Sequence, residues 1–159
     1  MNRLTLNLLR ALIALLFAGG LLAQTVLIPV IAWESAQSFP EVSYLEVPYA
    51  ALAIGTVACA QAILVATWRL AGMVEREFIF HAAALKWVTL MVRSAWVATA
   101  LVTLVAVDAI FIEGLGPVTV PLSLMGATVG AGAVALVLMV MRGLLQTAVL
   151  HKGELDEVV

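Results

Sequence analysis

The chain has 159 residues, of which 64% are hydrophobic and only 11% are charged, and its mean hydropathy is +1.14. A soluble domain carries roughly 25% charged residues, so this chain has too few polar side chains to cover a water-facing surface. The composition excludes a soluble globular domain and indicates an integral membrane protein. The single cysteine, Cys59, excludes an internal disulfide and a cysteine metal cluster.

The uncharged intervals of the sequence mark four candidate membrane spans. A spanning helix needs about 20 apolar residues, which three intervals supply directly. The third, 94–107, is too short, and we extend it so that Arg93 and Asp108 lie near opposite interfaces, where the long Arg93 side chain can reach the headgroups. The first interval continues to Trp33, beyond the length of a signal-peptide core, which predicts a retained helix.

The sequence therefore predicts an all-α membrane protein, a four-helix transmembrane bundle with up-down-up-down topology and both termini cytoplasmic. Residues 1–159 form one domain, with helices at about 8–33, 48–72, 87–112 and 117–147, an outer loop at 34–47, an inner loop at 73–86 and a cytoplasmic tail at 148–159. Gly153 is expected to weaken or end the last helix, because glycine is a poor helix former.

Charge and aromatic residues orient the predicted bundle. Every basic residue falls on one side, and the other side carries only acidic ones, Glu34, Glu41, Glu46, Asp108 and Glu113. Cytoplasmic loops are enriched in lysine and arginine, so the basic side is predicted to be the inner one. Aromatic belts agree with this arrangement, at Trp33, Phe39, Tyr44, Tyr49 and Phe111 outside and at Trp68, Phe78, Phe80 and Trp87 inside.

Small residues suggest where helices approach one another. In the last helix Gly126 and Gly130 have the GxxxG spacing, which allows close backbone contact in lipid. Two interpretations remain open, packing inside the bundle and a homo-oligomer face. Because rows of small residues are common in any bundle, we favour internal packing.

Three polar side chains within the spans are candidate functional positions, Gln61, Arg93 and Asp108. Gln61 lies near the middle of the second span, where an amide usually bonds to another helix but can also line a solute pathway. Arg93 and Asp108 are about 22 Å apart along one helix, too far to pair, and lie either in an interior groove or at their own headgroup layers. We favour the structural interpretation for all three.

The rest of the sequence gives little support to catalysis, metal binding or nucleic-acid binding. The outer acidic residues match no known calcium loop, both histidines are predicted to lie outside the spans, and no hydrolase, metalloprotease or phosphate-loop motif occurs. A basic nucleic-acid-binding patch is also not visible. We expect a protein that is not an enzyme and has no cofactor, no metal and no direct contact with nucleic acid.

The inner loop is the best candidate surface for an interaction. It and its flanks combine charged and aromatic residues, among them Arg69, Arg76, Phe80 and Trp87. The segment can form a short interfacial helix with its apolar side in the membrane, or an ordinary anchored connection. The sequence does not separate these alternatives.

Three stretches of the chain resemble a bacterial membrane-protein family catalogued as domain of unknown function 2975. They are PEVSYLEVPY at 40–49, WRLAGMVEREFIF at 68–80 followed by Lys86 and Trp87, and the ending from Gly126 to Val159. The resemblance implies a four-helix protein of the bacterial plasma membrane, often encoded beside a small helix-turn-helix regulator. It suggests an accessory or regulatory role and carries no assigned site.

The expected function is that of a non-enzymatic accessory or regulatory subunit acting through protein partners, by its inner loop and tail. The alternative is a small oligomeric transporter or channel for an ion or small solute, with Gln61, Arg93 and Asp108 along its path.

Overall fold

The computed structural model describes residues 3–38, 40–75, 82–109 and 119–156, and all of these are helical. In chain order the elements are α1 (Arg3–Leu22), a π-helical segment (Ala23–Leu27), α2 (Ile28–Ser38), a 3₁₀ helix (Pro40–Leu45), α3 (Glu46–Glu75), α4 (Ala82–Val107) and α5 (Thr119–Asp156). Four stretches are long and apolar enough to cross a membrane: Leu6–Ser38, Ser43–Met73, Ala83–Val107 and Leu122–Val149. For the described residues, the prediction of an all-helical protein with four helices long and apolar enough to span a membrane is confirmed.

The helices extend beyond the predicted apolar cores. The predicted inner loop, 73–86, is helical at both of its ends, because α3 continues to Glu75 and α4 begins at Ala82. The helix α5 runs through Gly153 to Asp156, so the expectation that Gly153 ends it is wrong. An uncharged stretch of sequence identifies only the part of a helix that can lie in hydrocarbon. The helix itself can continue into water, because its backbone hydrogen bonds do not depend on apolar side chains. A single glycine costs only about 1 kcal/mol within a helix.

The first span contains a local irregularity with a covalent cause. Pro29 has no backbone N–H and its ring crowds the carbonyl four residues earlier, so a regular α-helix is disrupted there. The chain accommodates this with the π-helical segment, in which the Ile28 backbone N–H donates to the carbonyl of Ala23, five residues back. The hydroxyl of Thr25 donates to the Leu21 carbonyl at 2.9 Å. The helices α1 and α2 thus continue as one span.

The helix α4 is the centre of the packing. It makes extensive contacts with α3 on one side and α5 on the other, while α1 and α2 pack on α3. In α4, 22% of the most apolar window is buried, against 6% in each of the other three spans. Its buried residues are all small, namely Ala84, Val88, Val92, Ser94, Ala95 and Ala106. Within the described ranges, α5 packs on α4 and makes at most marginal contact with the other helices.

Cross-helix contacts give the relative directions of the first three spans. Residue numbers rise along α3 as they fall along α4, in the pairs Tyr49–Asp108, Gly55–Leu101 and Arg69–Trp87. The same holds for the first span against α3, in the pairs Arg10–Trp68, Phe17–Gln61 and Gln24–Ile54. Adjacent spans are therefore antiparallel in both cases, and the contacts are distributed along the length of the helices.

Two amide side chains attach the first span to α3. Gln24 Nε2 donates to the Ile54 carbonyl at 3.3 Å, and Gln61 Nε2 donates to the Phe17 carbonyl at 3.5 Å. Gly20 makes the second contact possible, because a Cβ at that position would lie 3.0 Å from Gln61 Nε2. The neighbouring Gly19 has open space at the corresponding point.

The adjacent glycines provide a matched test of this packing. Gly20→Leu should lower the free energy of unfolding by about 1–3 kcal/mol, because the new side chain overlaps Gln61 and separates the two spans. Gly19→Leu lacks this overlap and should not lower it, because replacing a helical glycine removes a cost of up to about 1 kcal/mol. Thermal unfolding in one detergent would compare the two variants. Equal destabilisation by both would contradict the described contact.

Candidate functional site

The hydrogen bond between Tyr49 and Asp108 joins the N-terminal end of α3 to the end of α4. The Tyr49 hydroxyl donates to Asp108 Oδ2 at 2.6 Å, across 59 residues of sequence. Both side chains are half-buried. This contact connects the two helix ends across a large distance in sequence. Asp108 therefore has a hydrogen-bond partner on a neighbouring helix.

An open apolar groove runs along α4 and ends at Asp108. Its volume is about 580 Å³, within the range of ligand-binding pockets, and its lining includes Trp96, Ala100, Thr103, Leu104, Val107 and Asp108. The spacing of these positions places them on one face of the helix. Asp108 is the charged residue of this lining, so the groove has an apolar length and a single anionic end.

The structure does not bring Gln61, Arg93 and Asp108 together. Gln61 is engaged with α1, and Asp108 is bonded to Tyr49, which lies 12 residues or roughly 18 Å from Gln61 along α3. Arg93 is exposed on α4. These positions form no continuous polar path through the described helices.

Threonine hydroxyls within the spans are also engaged locally. Each described one donates to the carbonyl four residues earlier, at 2.7–3.1 Å, as in Thr56, Thr67, Thr89, Thr99, Thr103, Thr128 and Thr147. This bond satisfies the hydroxyl within its own helix, where no water is available in hydrocarbon. The threonines in the groove therefore present mainly their methyl groups.

Cation–π contacts join neighbouring helices at the opposite end of the molecule. The guanidinium of Arg69 lies over the Trp87 ring at 5.4 Å from its centroid, and that of Arg10 over the Trp68 ring at 5.9 Å. Such contacts contribute about 0.5–1 kcal/mol at exposed sites. Arg69 and Trp87 thus link the two helix ends that flank residues 76–81. The remaining predicted loop positions, Arg76 and Phe80, lie outside the described residues.

Gly126 and Gly130 face away from the rest of the described chain. A Cβ at either position would meet nothing within 4 Å, and the adjacent Val129 is 71% exposed. The favoured interpretation, in which this pair packs inside the bundle, is wrong for the described residues. A different glycine of α5, Gly132, faces α4 at Thr99.

The outer acidic residues do not form a metal site in the part of the chain that the structure describes. No group of three or more histidine, cysteine, aspartate or glutamate side chains is placed there to hold an ion. The side chains of Glu41 and Glu113 lie outside the described set.

Sequence reasoning missed the partner of Asp108 and the role of Trp96. From its position in the sequence, Tyr49 was assigned to the aromatic belt at the membrane–water interface. No pattern in the sequence near Tyr49 indicates a contact with a residue 59 positions later. The apolar repeat at 96, 100, 103, 104 and 107 was visible, but any membrane helix shows such a repeat. Only the structure shows that this face of α4 lines an open groove.

A double-mutant cycle tests the contact between Tyr49 and Asp108. Tyr49→Phe and Asp108→Ala should each lower the free energy of unfolding, and their coupling energy should be about 1 kcal/mol, because each change alone removes the same hydrogen bond. Chemical unfolding of the four proteins in one detergent would measure it. Additive effects would show that the bond contributes nothing to stability.

The comparisons with known proteins give one family match. A search of curated proteins and a search of solved structures each returned no match. The model of the family described as protein of unknown function (DUF2975) matches residues 30–159, from α2 to the end of the chain. This range includes α3, α4 and α5 with the groove and the Tyr49–Asp108 contact, and the chain belongs to that family.

Proposed function

We propose that this protein is a non-enzymatic accessory subunit of a membrane complex and that it acts through protein partners. The observation that carries the proposal is the one-sided packing of α5, which rests on α4 and leaves its other faces uncovered within the described chain. Exposed apolar side chains alone do not indicate a protein partner, because any lipid-facing helix has them. The glycine pair adds a surface on which another helix backbone can approach closely.

The length of α5 also supports a role outside the hydrocarbon. Its 38 residues correspond to about 57 Å, whereas the apolar core of a bilayer is about 30 Å thick. Its apolar stretch, Leu122–Val149, takes 28 of these residues. The helix continues for seven residues beyond it, to Asp156, which corresponds to about 10 Å at the C-terminal end.

We infer up-down-up-down topology with both termini in the cytoplasm of a bacterial cell. The one-sided distribution of basic residues supports this orientation. The protruding end of α5 and the segment between α3 and α4 are then on the same side as Arg69 and Trp87. A small helix-turn-helix regulator, which the family resemblance suggests, is a candidate partner for this cytoplasmic surface.

In the membrane itself, we propose that the first contact is with a second copy, through Gly126 and Gly130.

Disulfide crosslinking tests the contact between copies. In a Cys59→Ala background, Val129→Cys should give a crosslinked dimer in native membranes, because Val129 lies beside the glycine pair and is 71% exposed. Leu15→Cys on α1, which is 70% exposed, is the matched control and should remain monomeric.

Substitution of both Gly126 and Gly130 tests whether crosslinking reflects a specific helix contact between copies or random collisions in the membrane. Adding Gly126→Leu and Gly130→Leu to the Val129→Cys protein should reduce crosslinking by about tenfold, since loss of about 1.4 kcal/mol of association corresponds to that factor. Equal crosslinking at positions 129 and 15 would overturn the homo-oligomer. A crosslinked species with the mass of a different protein would identify a heterologous partner instead.

Cysteine labelling tests the topology. In the same Cys59→Ala background, Lys152→Cys should react with a membrane-impermeant thiol reagent only after the cells are opened. Glu41→Cys should react in intact cells, because it lies in the segment between the first two spans. Labelling of position 152 from outside, or of position 41 only after lysis, would contradict the proposed orientation.

The transport hypothesis receives no support from the described residues. A pathway would require polar side chains directed toward a common space, and Gln61, Asp108 and the threonines are bonded within or between helices instead. The accessory role therefore remains the function that the geometry favours.

A further inference from the structure

We propose that the α4 groove binds one phospholipid with a primary ammonium headgroup, whose acyl chain lies along the helix and whose ammonium group contacts Asp108. This ligand site does not depend on any protein partner. The groove combines an apolar wall of the right length with one carboxylate at its end.

The length of the groove matches one leaflet of a bilayer. From Trp96 to Asp108 there are 12 residues of helix, which correspond to roughly 18 Å. Half of a bilayer's hydrocarbon core is about 15 Å. An acyl chain that follows α4 from its middle outward would therefore bring its headgroup to the level of Asp108.

The lining favours a lipid tail over a soluble ligand. Trp96, Leu104 and Val107 are 45%, 55% and 48% exposed, and the groove is open along its side. In a membrane this side faces lipid, so a tail enters laterally without crossing water. The Thr103 hydroxyl already donates to the Thr99 carbonyl, so it needs no hydrogen bond from a ligand and tolerates contact with an acyl chain.

The polar end of the groove selects a cationic donor. Asp108 accepts the Tyr49 hydroxyl on Oδ2, which holds the carboxylate in a defined position at the mouth of the groove. The other oxygen has no further hydrogen bond within the described residues. A primary ammonium can donate to it, whereas a quaternary ammonium has no N–H and an anionic headgroup is repelled.

Tyr49 has a positioning role in this proposal. Its hydroxyl does not need to touch the lipid, because it orients the acceptor that does. Arg93, the nearest cation along the same helix, is about 22 Å from Asp108 and does not compete for the carboxylate. Among the described lining residues, Asp108 supplies the one negative charge available to the lipid.

Fluorescence quenching of Trp96 measures occupancy directly. The chain has four tryptophans, and Trp33→Phe, Trp68→Phe and Trp87→Phe would leave Trp96 as the only tryptophan, excited at the red edge of its absorption where the two tyrosines do not absorb. The full-length protein would be placed in nanodiscs of phosphatidylcholine that contain a small fraction of one brominated lipid. Brominated phosphatidylethanolamine should quench Trp96 at about two- to fivefold lower mole fraction than brominated phosphatidylglycerol or phosphatidylcholine, the preference expected of a half-exposed ion pair.

Three variants identify the source of the preference. Asp108→Asn should abolish it, because the charge is lost while the side-chain shape is kept. Ala100→Leu should weaken quenching by every brominated lipid, because it fills the groove. Ala18→Leu, at an exposed position of α1 that does not line the groove, should change nothing.

A second measurement avoids the tryptophan replacements, which could themselves disturb the fold. Native mass spectrometry of the protein with all four tryptophans, released from membranes of equal phosphatidylethanolamine and phosphatidylglycerol content, should show retained phosphatidylethanolamine that Asp108→Asn loses. Equal quenching by all three lipids, or a preference unchanged by Asp108→Asn, would overturn the proposal. So would a preference for phosphatidylglycerol.

Discussion

The absence of water from the bilayer core is the constraint on which the rest of this structure depends. Every polar group within a span must find its partner in the chain, since an unsatisfied one costs several kcal/mol there. Threonine hydroxyls therefore bond to their own helix, the backbone before Pro29 adopts a wider turn, and the amides of Gln24 and Gln61 reach carbonyls of a neighbouring helix. Polar residues in this protein thus define which helices touch.

The same constraint explains why small residues determine the packing. Lipid tails are as apolar as leucine, so helices gain little from burying leucine and gain more from close backbone approach. The buried positions of α4 are mainly alanine and valine, and Gly20 and Gly55 lie where a neighbouring side chain comes closest. Large apolar residues remain on the outside, where they face lipid.

Two surfaces remain that this internal packing does not use, and they support different interactions. One is the glycine pair of α5, which suits a second helix, and the other is the α4 groove, which suits a lipid chain. The groove has a charged end held in place by Tyr49, and the glycine face has none. A protein that binds a helix on one face and an ordered lipid on another fits an accessory role in a membrane complex.

The sequence by itself determined the class of protein, the number of candidate spanning helices and the family. Low charge content and the length of the apolar stretches can be read without knowing how the helices pack. Gln61, which the sequence suggested as a helix-to-helix amide, lies with its Nε2 3.5 Å from the Phe17 carbonyl. The sequence could not locate the ends of the helices. Charged residues interrupt the apolar stretch, whereas the helical backbone continues past them. Only the tertiary structure decided that Asp108 is bonded to Tyr49, that Gly126 and Gly130 face outward, and that one side of α4 is a groove. These depend on the rotation and register of each helix against its neighbours, which a uniformly apolar sequence specifies only weakly.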